Sequence, residues 1–364
     1  MIKTTLGFLV IDFTHENTYL TEIAKYSDSF EIECVRFTPT SIQPTTLSID
    51  GERFDSSTQQ WKKASFPIPP FIYDRCFYHD ISLAKKSKPI VTWLKSYPQT
   101  TFLGFGLPNK WDVYSALATN KEIEPYLPKS ERIYNSLSIE TTLKETGSCI
   151  LKPVKGSRGF GIYFIRQEPE QLTITYHHGR DKKTKTFRSR NAFHRWCTSL
   201  IQNQAYFMQP MLSLTDEEGY PFDLRLFLQK DQNGAWHLVD KAIRKGYQGS
   251  FLSNLSSGGD PITYKSWSNH LASKQKYLLE DELHTIASVL PPFLEETFQP
   301  LFELGIDIGI AKDGSIWILD INSKPGRKTF VTTNPSLTEL FHQAPLYYCI
   351  YLVKNMSETK TTTM

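Results

Sequence analysis

The sequence predicts a protein of mixed structure, α+β or α/β in class, with a small α/β unit followed by two units rich in β-strands. Two observations lead to this class. The chain has 364 residues, which is long for one domain because a domain usually takes roughly 100–200 residues. Short apolar runs typical of strands also alternate with segments of helical periodicity along the chain.

The composition excludes several classes of protein. The chain carries 41 Lys and Arg against 38 Asp and Glu, a net charge of +3, so it lacks the basic surplus typical of nucleic-acid or membrane-surface binding. No apolar run reaches the ~20 residues that span a bilayer, and the N-terminus lacks a signal-peptide pattern. The five cysteines never form Cys-x-x-Cys, so neither a disulfide framework nor a zinc site is expected. We expect a cytoplasmic protein without nucleic-acid or membrane partners.

The first unit, residues 1–106, is predicted to be a small α/β domain. Its polar stretch 38–67 is expected to be irregular, with a hairpin signal at Asp50-Gly51. Pro89 is expected to break the helix predicted over 81–97. Asp74-Arg75, directly after a strand, is the pair in this unit that could carry chemistry. The predicted strands cover residues 6–11, 30–37, 71–75 and 101–105.

The second unit is predicted over residues 107–205 and the third over 206–350, with a polar tail at 351–364. The second unit has expected helices at 111–117 and 191–204, strands at 149–153 and 162–165, and a hairpin of 172–176 with 185–188. The third has expected strands at 206–211, 222–229 and 236–244, helices at 274–290 and 293–303 separated by Pro291-Pro292, and a hairpin over 304–322.

The C-terminal hairpin is the most informative motif. Asp313-Gly314 between two β-rich runs predicts a two-residue type I′ turn, which places Asp307 opposite Asp320. A three-residue loop would instead oppose Asp307 to Leu319. Asn322 lies two residues beyond Asp320 and therefore on the same face. Two facing carboxylates with an amide oxygen form a hard ligand set that suits Mg²⁺. The alternative is an edge hairpin with both carboxylates in solvent.

A glycine-rich loop follows the strand that ends near Lys152. Glycines let backbone N–H groups approach phosphate oxygens closely, and a nearby lysine suits a nucleotide phosphate. The loop leads into a strand and matches neither a Walker A motif nor a dinucleotide fingerprint, so an ordinary hairpin turn is the alternative. The loop residues assigned to phosphate binding are Gly156, Ser157, Gly159 and Gly161.

Three further features lie between these motifs. The proline-interrupted run 208–212 could read an adenine edge with free backbone groups, or be a buried edge strand. Asp223 and Arg225 share one strand face and could hold ribose and phosphate, or form a solvated salt-bridged face. Arg244 precedes a loop, 246–259, rich in Gly, Ser and Asn, which could close over a substrate or be a plain surface loop. The basic segment 180–190 is interpreted mainly as a solvated face.

The assembled pattern resembles the ATP-grasp superfamily and, more closely, the family of YheC/YheD-type endospore coat-associated proteins. The resemblance covers roughly residues 105 to 350. It includes Asn109-Lys110-Trp111, the run 125–128, the glycine loop and the carboxylate hairpin. Asp223 to Arg225 and then Arg244, Phe251, Asn254, Gly258 and Gly259 are also similar to the ligases that add glutamate to ribosomal protein tails.

The resemblance implies an ATP-grasp fold, in which two β-rich lobes enclose ATP, preceded by the small α/β domain. It implies an ATP-dependent carboxylate–amine ligase that uses Mg²⁺, commonly two ions, with a small-molecule or peptide carboxylate and an amine as substrates. The implied nucleotide-binding residues are Lys110, Lys152, Gly156, Ser157, Gly159, Gly161, Gln209, Met211, Leu212 and Asp223; the implied catalytic residues are Arg225, Arg244, Lys152 and Asn254; the implied metal ligands are Asp307, Asp320 and Asn322.

Two alternatives stay open. The middle metal position of the superfamily is usually Glu and is Asp320 here, which motivates a nucleotide-binding structural protein of a spore layer with weakened catalysis. A small-molecule kinase is the other alternative, because the same site geometry serves a hydroxyl acceptor. The identity of the substrates and the oligomeric state do not follow from the sequence.

Overall fold

The computed structural model describes residues 4–78, 80–156, 159–178, 181–249 and 260–362, and its strands form three sheets. The first unit contains β1 (Thr4–Leu9), α1 (Asn17–Lys25), β2 (Ile32–Phe37), β3 (Ser48–Asp55), β4 (Gln60–Pro67), β5 (Phe71–Asp74), α2 (Ile81–Lys95) and β6 (Thr101–Phe102). Its sheet has the order β4-β3-β2-β1-β5-β6, with β1 parallel to β2 and β5. A mixed α/β unit at the N-terminus is therefore confirmed.

Two predictions in the first unit are wrong. The stretch 38–67 contains the antiparallel hairpin of β3 and β4, and Gly51 lies inside β3 instead of at a turn. Ile49, Phe54 and Phe66 are buried, so apolar contacts order this polar stretch. Helix α2 also continues through Pro89. Because Pro89 is exposed, water can reach the helix carbonyl that loses its hydrogen bond.

The second sheet has the order β11-β10-β9-β8-β12-β7 and packs one face on α4 and α5. Its elements follow α3 (Lys110–Leu117) and are β7 (Glu131–Ile133), α4 (Ser136–Thr146), β8 (Ser148–Pro153), β9 (Tyr163–Glu168), β10 (Gln171–His178), β11 (Asp181–Phe187), α5 (Arg190–Asn203) and β12 (Tyr206–Pro210). The predicted β10–β11 hairpin is confirmed. The sequence analysis divides the second and third units after residue 205. Strand β12 lies beyond that point, but it pairs with β7 and β8 of the second sheet.

The third sheet has the order β15-β14-β13-β16-β17, and its apolar face packs on α7. The elements are β13 (Phe222–Lys230), β14 (Trp236–Lys245), β15 (Asp260–Thr263), α6 (Tyr264–Ser268), α7 (Ser273–Thr297), β16 (Glu303–Ile310), β17 (Ile316–Asn322), α8 (Lys328–Thr333) and α9 (Thr338–Thr362). The predicted break at Pro291-Pro292 is wrong, because α7 is continuous. Leu290 and Leu294 are fully buried on either side of the prolines, so packing holds the helix together.

The C-terminal segment is helical where the sequence analysis expects a polar tail at 351–364. Helix α9 extends to Thr362, and Leu346 and Tyr348 share a core with Leu6 and Phe8 of the first sheet. The last helix therefore packs against the first sheet and contributes to the core of the N-terminal unit. All five cysteines are free and buried. Among the described residues, no helix combines the length and apolar character needed to cross a membrane.

Candidate active site

The β16–β17 hairpin brings Asp307 and Asp320 opposite each other, as predicted, but the connection differs from the prediction. The loop between Ala311 and Ser315 is longer than a two-residue turn, since the Ala311 N–H donates to the Ser315 carbonyl at 2.9 Å. The register then shifts between Asp307 and the next residue, and Leu319 is the extra residue of a β-bulge. The longer loop and the bulge compensate, so the two carboxylates still face each other.

The polar face of the third sheet carries several of the predicted site residues on neighbouring strands. Along β13, Leu224 and Leu226 join the core with α7, so the alternating Asp223 and Arg225 point to the opposite face. Arg225 lies opposite Asp307 in the ladder, and Asp307 lies opposite Asp320. Three strands thus place one guanidinium and two carboxylates in a single row. The predicted sharing of one strand face by Asp223 and Arg225 is confirmed.

Asp307 is a buried carboxylate between two arginines. Arg225 donates to it from β13, and Arg244 Nη2 lies 2.8 Å from Asp307 Oδ1. Arg244 Nε also donates to Asp223 Oδ1 at 2.7 Å. Burial raises the pKa of Asp307, but the two guanidiniums outweigh burial and hold that pKa below its usual value. Asp307 is therefore an ionised carboxylate inside the protein, which contradicts the solvated-hairpin alternative for this residue.

Lys110 and Lys152 converge on the other carboxylate. Asn109 caps α3 by accepting hydrogen bonds from the N–H groups of Trp111 and Asp112, and this fixes Lys110 at the first turn. Lys110 Nζ lies 2.7 Å from Asp320 Oδ2. Lys152 Nζ lies 3.4 Å from the neighbouring Leu319 carbonyl oxygen. Burial, followed by the charge of Lys110, lowers the pKa of Lys152 to about 8.

The three predicted metal ligands come together. Asn322 Nδ2 lies 3.4 Å from Asp320 Oδ2, and Asn322 is opposite Gly305 in the row next to Asp307. In the described part of the chain, no three His, Cys, Asp or Glu side chains group as metal ligands. A metal here would therefore rest on two carboxylates and one amide oxygen, a donor set that fits Mg²⁺ with water and phosphate completing its shell.

An apolar cavity beside Lys110 and Asp320 adds residues that the sequence analysis missed. It lies between α3, β12 and β17, and Gln209 is at its wall. Gln209 is buried, and its side-chain amide donates to Ser130 Oγ at 2.7 Å. Phe207 lies two residues before Gln209 on β12 and therefore on the same face, so the strand period could have identified it. The apolar lining includes Val113, Tyr114, Leu127, Phe207, Ile318 and Ile321.

The remaining predicted site residues lie after β12, in the glycine-rich loop, or outside the described residues. Met211 and Leu212 follow directly after β12. Gly159 and Gly161 adopt positive φ angles of 77° and 75°, which glycine adopts without strain, and Gly156 precedes them. Ser157 and Asn254, with Phe251, Gly258 and Gly259 of the second loop, lie outside the described residues.

The pair Asp74-Arg75 contacts the segment that follows Asn322. Asp74 Oδ1 lies 2.6 Å from Lys324 Nζ. Arg75 Nη1 lies 2.7 Å from Glu303 Oε1. The first unit is thereby tied to the third sheet and to the segment that follows the predicted metal ligands.

Gly305 provides the space for Arg225, and a substitution tests this. A Cβ there would lie 2.6 Å from Arg225 Cζ and 2.7 Å from Pro325 Cβ. Gly305→Ala is expected to destabilise the protein by about 1–3 kcal/mol, because the guanidinium must move. The measurement is urea unfolding with Gly326→Ala as control, since a Cβ at Gly326 meets no atom within 4 Å. Equal stability of the two variants would contradict the packing argument.

Comparisons with known proteins define the class and then the family. The fold is similar to that of D-alanyl-alanine synthetase A from Vibrio cholerae, with a TM-score of 0.53 and 13% identity, covering 97% of this chain and 99% of that one. This fold is the ATP-grasp fold. Residues 99–352 match the family described as YheC/D like ATP-grasp, and the chain belongs to that family.

Two curated relatives come from Bacillus subtilis (strain 168). The chain is 43% identical over 354 residues to the endospore coat-associated protein YheC, covering 97% of each chain. It is 26% identical over 279 residues to the endospore coat-associated protein YheD, covering 75% of this chain and 60% of that one. The predicted family and fold class are confirmed.

Proposed function

We propose that the protein is an ATP- and Mg²⁺-dependent carboxylate–amine ligase that forms an amide bond and releases ADP and phosphate. One observation carries the proposal. Four basic side chains (Lys110, Lys152, Arg225 and Arg244) converge on a facing pair of carboxylates beside an apolar cavity. This combination suits a nucleoside triphosphate, because the apolar cavity can hold a base that is apolar on both faces and the basic side chains can bind anionic phosphates.

The residues divide the proposed work. The apolar cavity with Phe207 and Gln209 would take the adenine ring. Lys110 and Lys152 would bind phosphate oxygens, and Arg244 would neutralise charge on the group in transfer. Mg²⁺, held by Asp307, Asp320 and Asn322, would neutralise phosphate charge and make the terminal phosphorus more electrophilic. Because Asp320 pairs with Lys110 in this structure, a metal ion would compete with that lysine.

The proposed chemistry has two steps on the substrates. A carboxylate oxygen attacks the terminal phosphorus of ATP, and the bond to the ADP oxygen breaks. The amine nitrogen then attacks the acyl carbon, phosphate leaves with its electron pair, and the nitrogen loses a proton. The protein supplies positioning and charge neutralisation in both steps and no covalent nucleophile.

The test is ADP release in the presence of mixtures of amino acids and dicarboxylic acids, with mass analysis of the products. The proposal expects ADP that depends on both a carboxylate and an amine, and an amide as the product. A phosphate ester would indicate the kinase alternative. Tight nucleotide binding without any turnover over the whole panel would contradict the ligase proposal.

A nucleotide-binding structural protein of a spore layer is the second candidate. The observation in its favour is Asp320, whose side chain is shorter than the usual Glu and is paired with Lys110. The name of the Bacillus subtilis relative, endospore coat-associated protein YheC, supports an association with the spore under either candidate. Asp320→Glu separates them, since a gain of ADP release in that variant would indicate weakened catalysis.

Nucleotide binding at pH 8.5 is expected to take up a fraction of a proton. The pKa of Lys152 is lowered to about 8 in the free protein, so much of the lysine is neutral at that pH, and a bound phosphate raises the pKa again. Calorimetry in buffers of different ionisation enthalpy measures the uptake. In Lys152→Arg the side chain is always charged, and the uptake should disappear. Equal uptake in both proteins would rule out Lys152 as the source.

A further inference from the structure

Strand β10 carries a buried histidine near its C-terminal end. His177 is 7% exposed, and neither Nδ1 nor Nε2 makes a hydrogen bond within the described structure. Buried polar side chains are nearly always hydrogen-bonded, so an imidazole with both nitrogens unpaired requires an explanation. A ligand that binds beside the ring would provide one.

The register of the second sheet shows which face His177 occupies. Leu151, Tyr163 and Tyr176 are aligned across β8, β9 and β10, and Leu151 and Tyr163 pack in the core with α5. The next residues along β8 and β10, Lys152 and His177, therefore lie on the opposite face and in one row. That face is directed at the third sheet, because Lys152 Nζ lies near the Leu319 carbonyl of β17.

Lysines stand on both sides of His177 in this row. Lys182 is directly opposite His177 on β11, and Lys152 is two strands away, roughly 10 Å at the usual strand spacing. Lys182 Nζ donates to the Gly249 carbonyl at 2.9 Å, just beyond β14. The two lysines thus reach β17 and the end of β14, at separate places across the third sheet. His177 lies between them on the face of the second sheet that borders the cleft, defined here as the space between this face and the polar face of the third sheet.

The charges of the side chains around His177 indicate which class of ligand could bind there. Burial, followed by the charge of Lys182, lowers the pKa of His177, so the ring is largely neutral at pH 7 and keeps one N–H donor. A neutral donor between two cationic side chains suits an anionic oxygen.

We propose that His177 donates a hydrogen bond to a phosphate oxygen of the nucleotide in the cleft, which extends the phosphate site from Lys152 across β10. This inference rests on the proposed function, since it requires that the cleft binds ATP. It adds a phosphate contact on β10, outside the residues that the sequence analysis assigned to nucleotide binding.

The experiment measures the affinity of the full chain for Mg²⁺ with ADP and with a non-hydrolysable ATP analogue. His177→Ala is expected to weaken binding about tenfold, the loss of one hydrogen bond to a charged group. His177→Gln keeps an N–H donor and should recover most of the affinity. His284→Ala, an exposed histidine on α7, is the control. Loss for the ATP analogue alone places the contact at the terminal phosphate, and loss for both nucleotides places it nearer the ribose.

Unchanged affinity of His177→Ala for both nucleotides would overturn the inference. If the wild-type chain binds neither nucleotide, the proposed function itself fails, so the two failures are distinguishable. If the variants do not fold, the ring ¹⁵N signals of His177 in the wild type must shift on nucleotide saturation, and unchanged signals would also overturn it.

Discussion

Asp307→Asn is expected to lower carboxylate-dependent ADP release by at least about a hundredfold, the usual order for removing one electrostatic contact at a reacting group. Asp307 contacts more of the proposed site residues than a single ion pair would require: Arg225 and Arg244 both bind it, and Asp320 faces it on the next strand. An amide there keeps the shape but removes the negative charge. The proposed metal site would lose its buried carboxylate, and Arg225 would lose its ionic partner.

Nucleotide affinity with and without Mg²⁺ separates this explanation from general damage. In the wild type, Mg²⁺ should tighten ATP binding. In Asp307→Asn, ATP alone should bind at least as well as in the wild type, because a negative charge near the phosphates is gone, and Mg²⁺ should add little. Asp313→Asn, at the exposed turn of the same hairpin, is the control. Wild-type dependence on Mg²⁺ in Asp307→Asn would show that this carboxylate is no metal ligand.

Glu303→Gln is expected to destabilise the protein by about 3–5 kcal/mol, the usual cost of leaving a buried charge without its partner. Glu303 is 2% exposed and lies at the start of β16. Its carboxylate accepts from Arg75, Arg327 and the Tyr73 hydroxyl. Arg75 also pairs with Glu16 at 2.6 Å. Without the Glu303 charge, Arg75 would retain its ion pair with Glu16, but the buried Arg327 would lose its ion pair with Glu303.

Urea unfolding measures this loss of stability. The matched control is Glu145→Gln on an exposed part of α4. The control is expected to change the free energy of unfolding by less than about 0.5 kcal/mol. Because Arg75 belongs to the first unit and Arg327 follows the proposed metal ligands, the variant should also loosen the contact between these parts. A loss similar to that of the control would mean that the network contributes little net stability.

The core of the site could be predicted from the sequence because its signals are local. Asp307 and Asp320 lie on two strands joined by a short connection, so periodicity brings them together. The alternation of Asp223 and Arg225 with leucines needs only the period of a strand. The predicted turn was nevertheless wrong, and the facing carboxylates survived because the bulge at Leu319 offsets the longer loop.

Other errors have one physical cause. Pro89 and Pro291-Pro292 disfavour helix continuation locally, yet α2 and α7 continue, since burial of apolar side chains elsewhere on each helix outweighs the lost backbone hydrogen bonds. The hairpin of β3 and β4 and the packing of α9 on the first sheet depend on residues that are far apart in the chain. Periodicity within one segment carries no information about such partners.

By itself, the sequence determined the α/β unit at the N-terminus, the two β-rich units, the facing carboxylates and the lysines and arginines of the site. These follow from alternation, spacing and turn residues, which act over a few positions. Only the tertiary structure decided that Arg225 and Arg244 share Asp307, and that Lys110 pairs with Asp320. It also decided that His177, opposite Lys182 on the next strand, is buried without a hydrogen bond from the described part of the chain. Such contacts join separate strands and helices, and their geometry is set by how the sheets pack against one another.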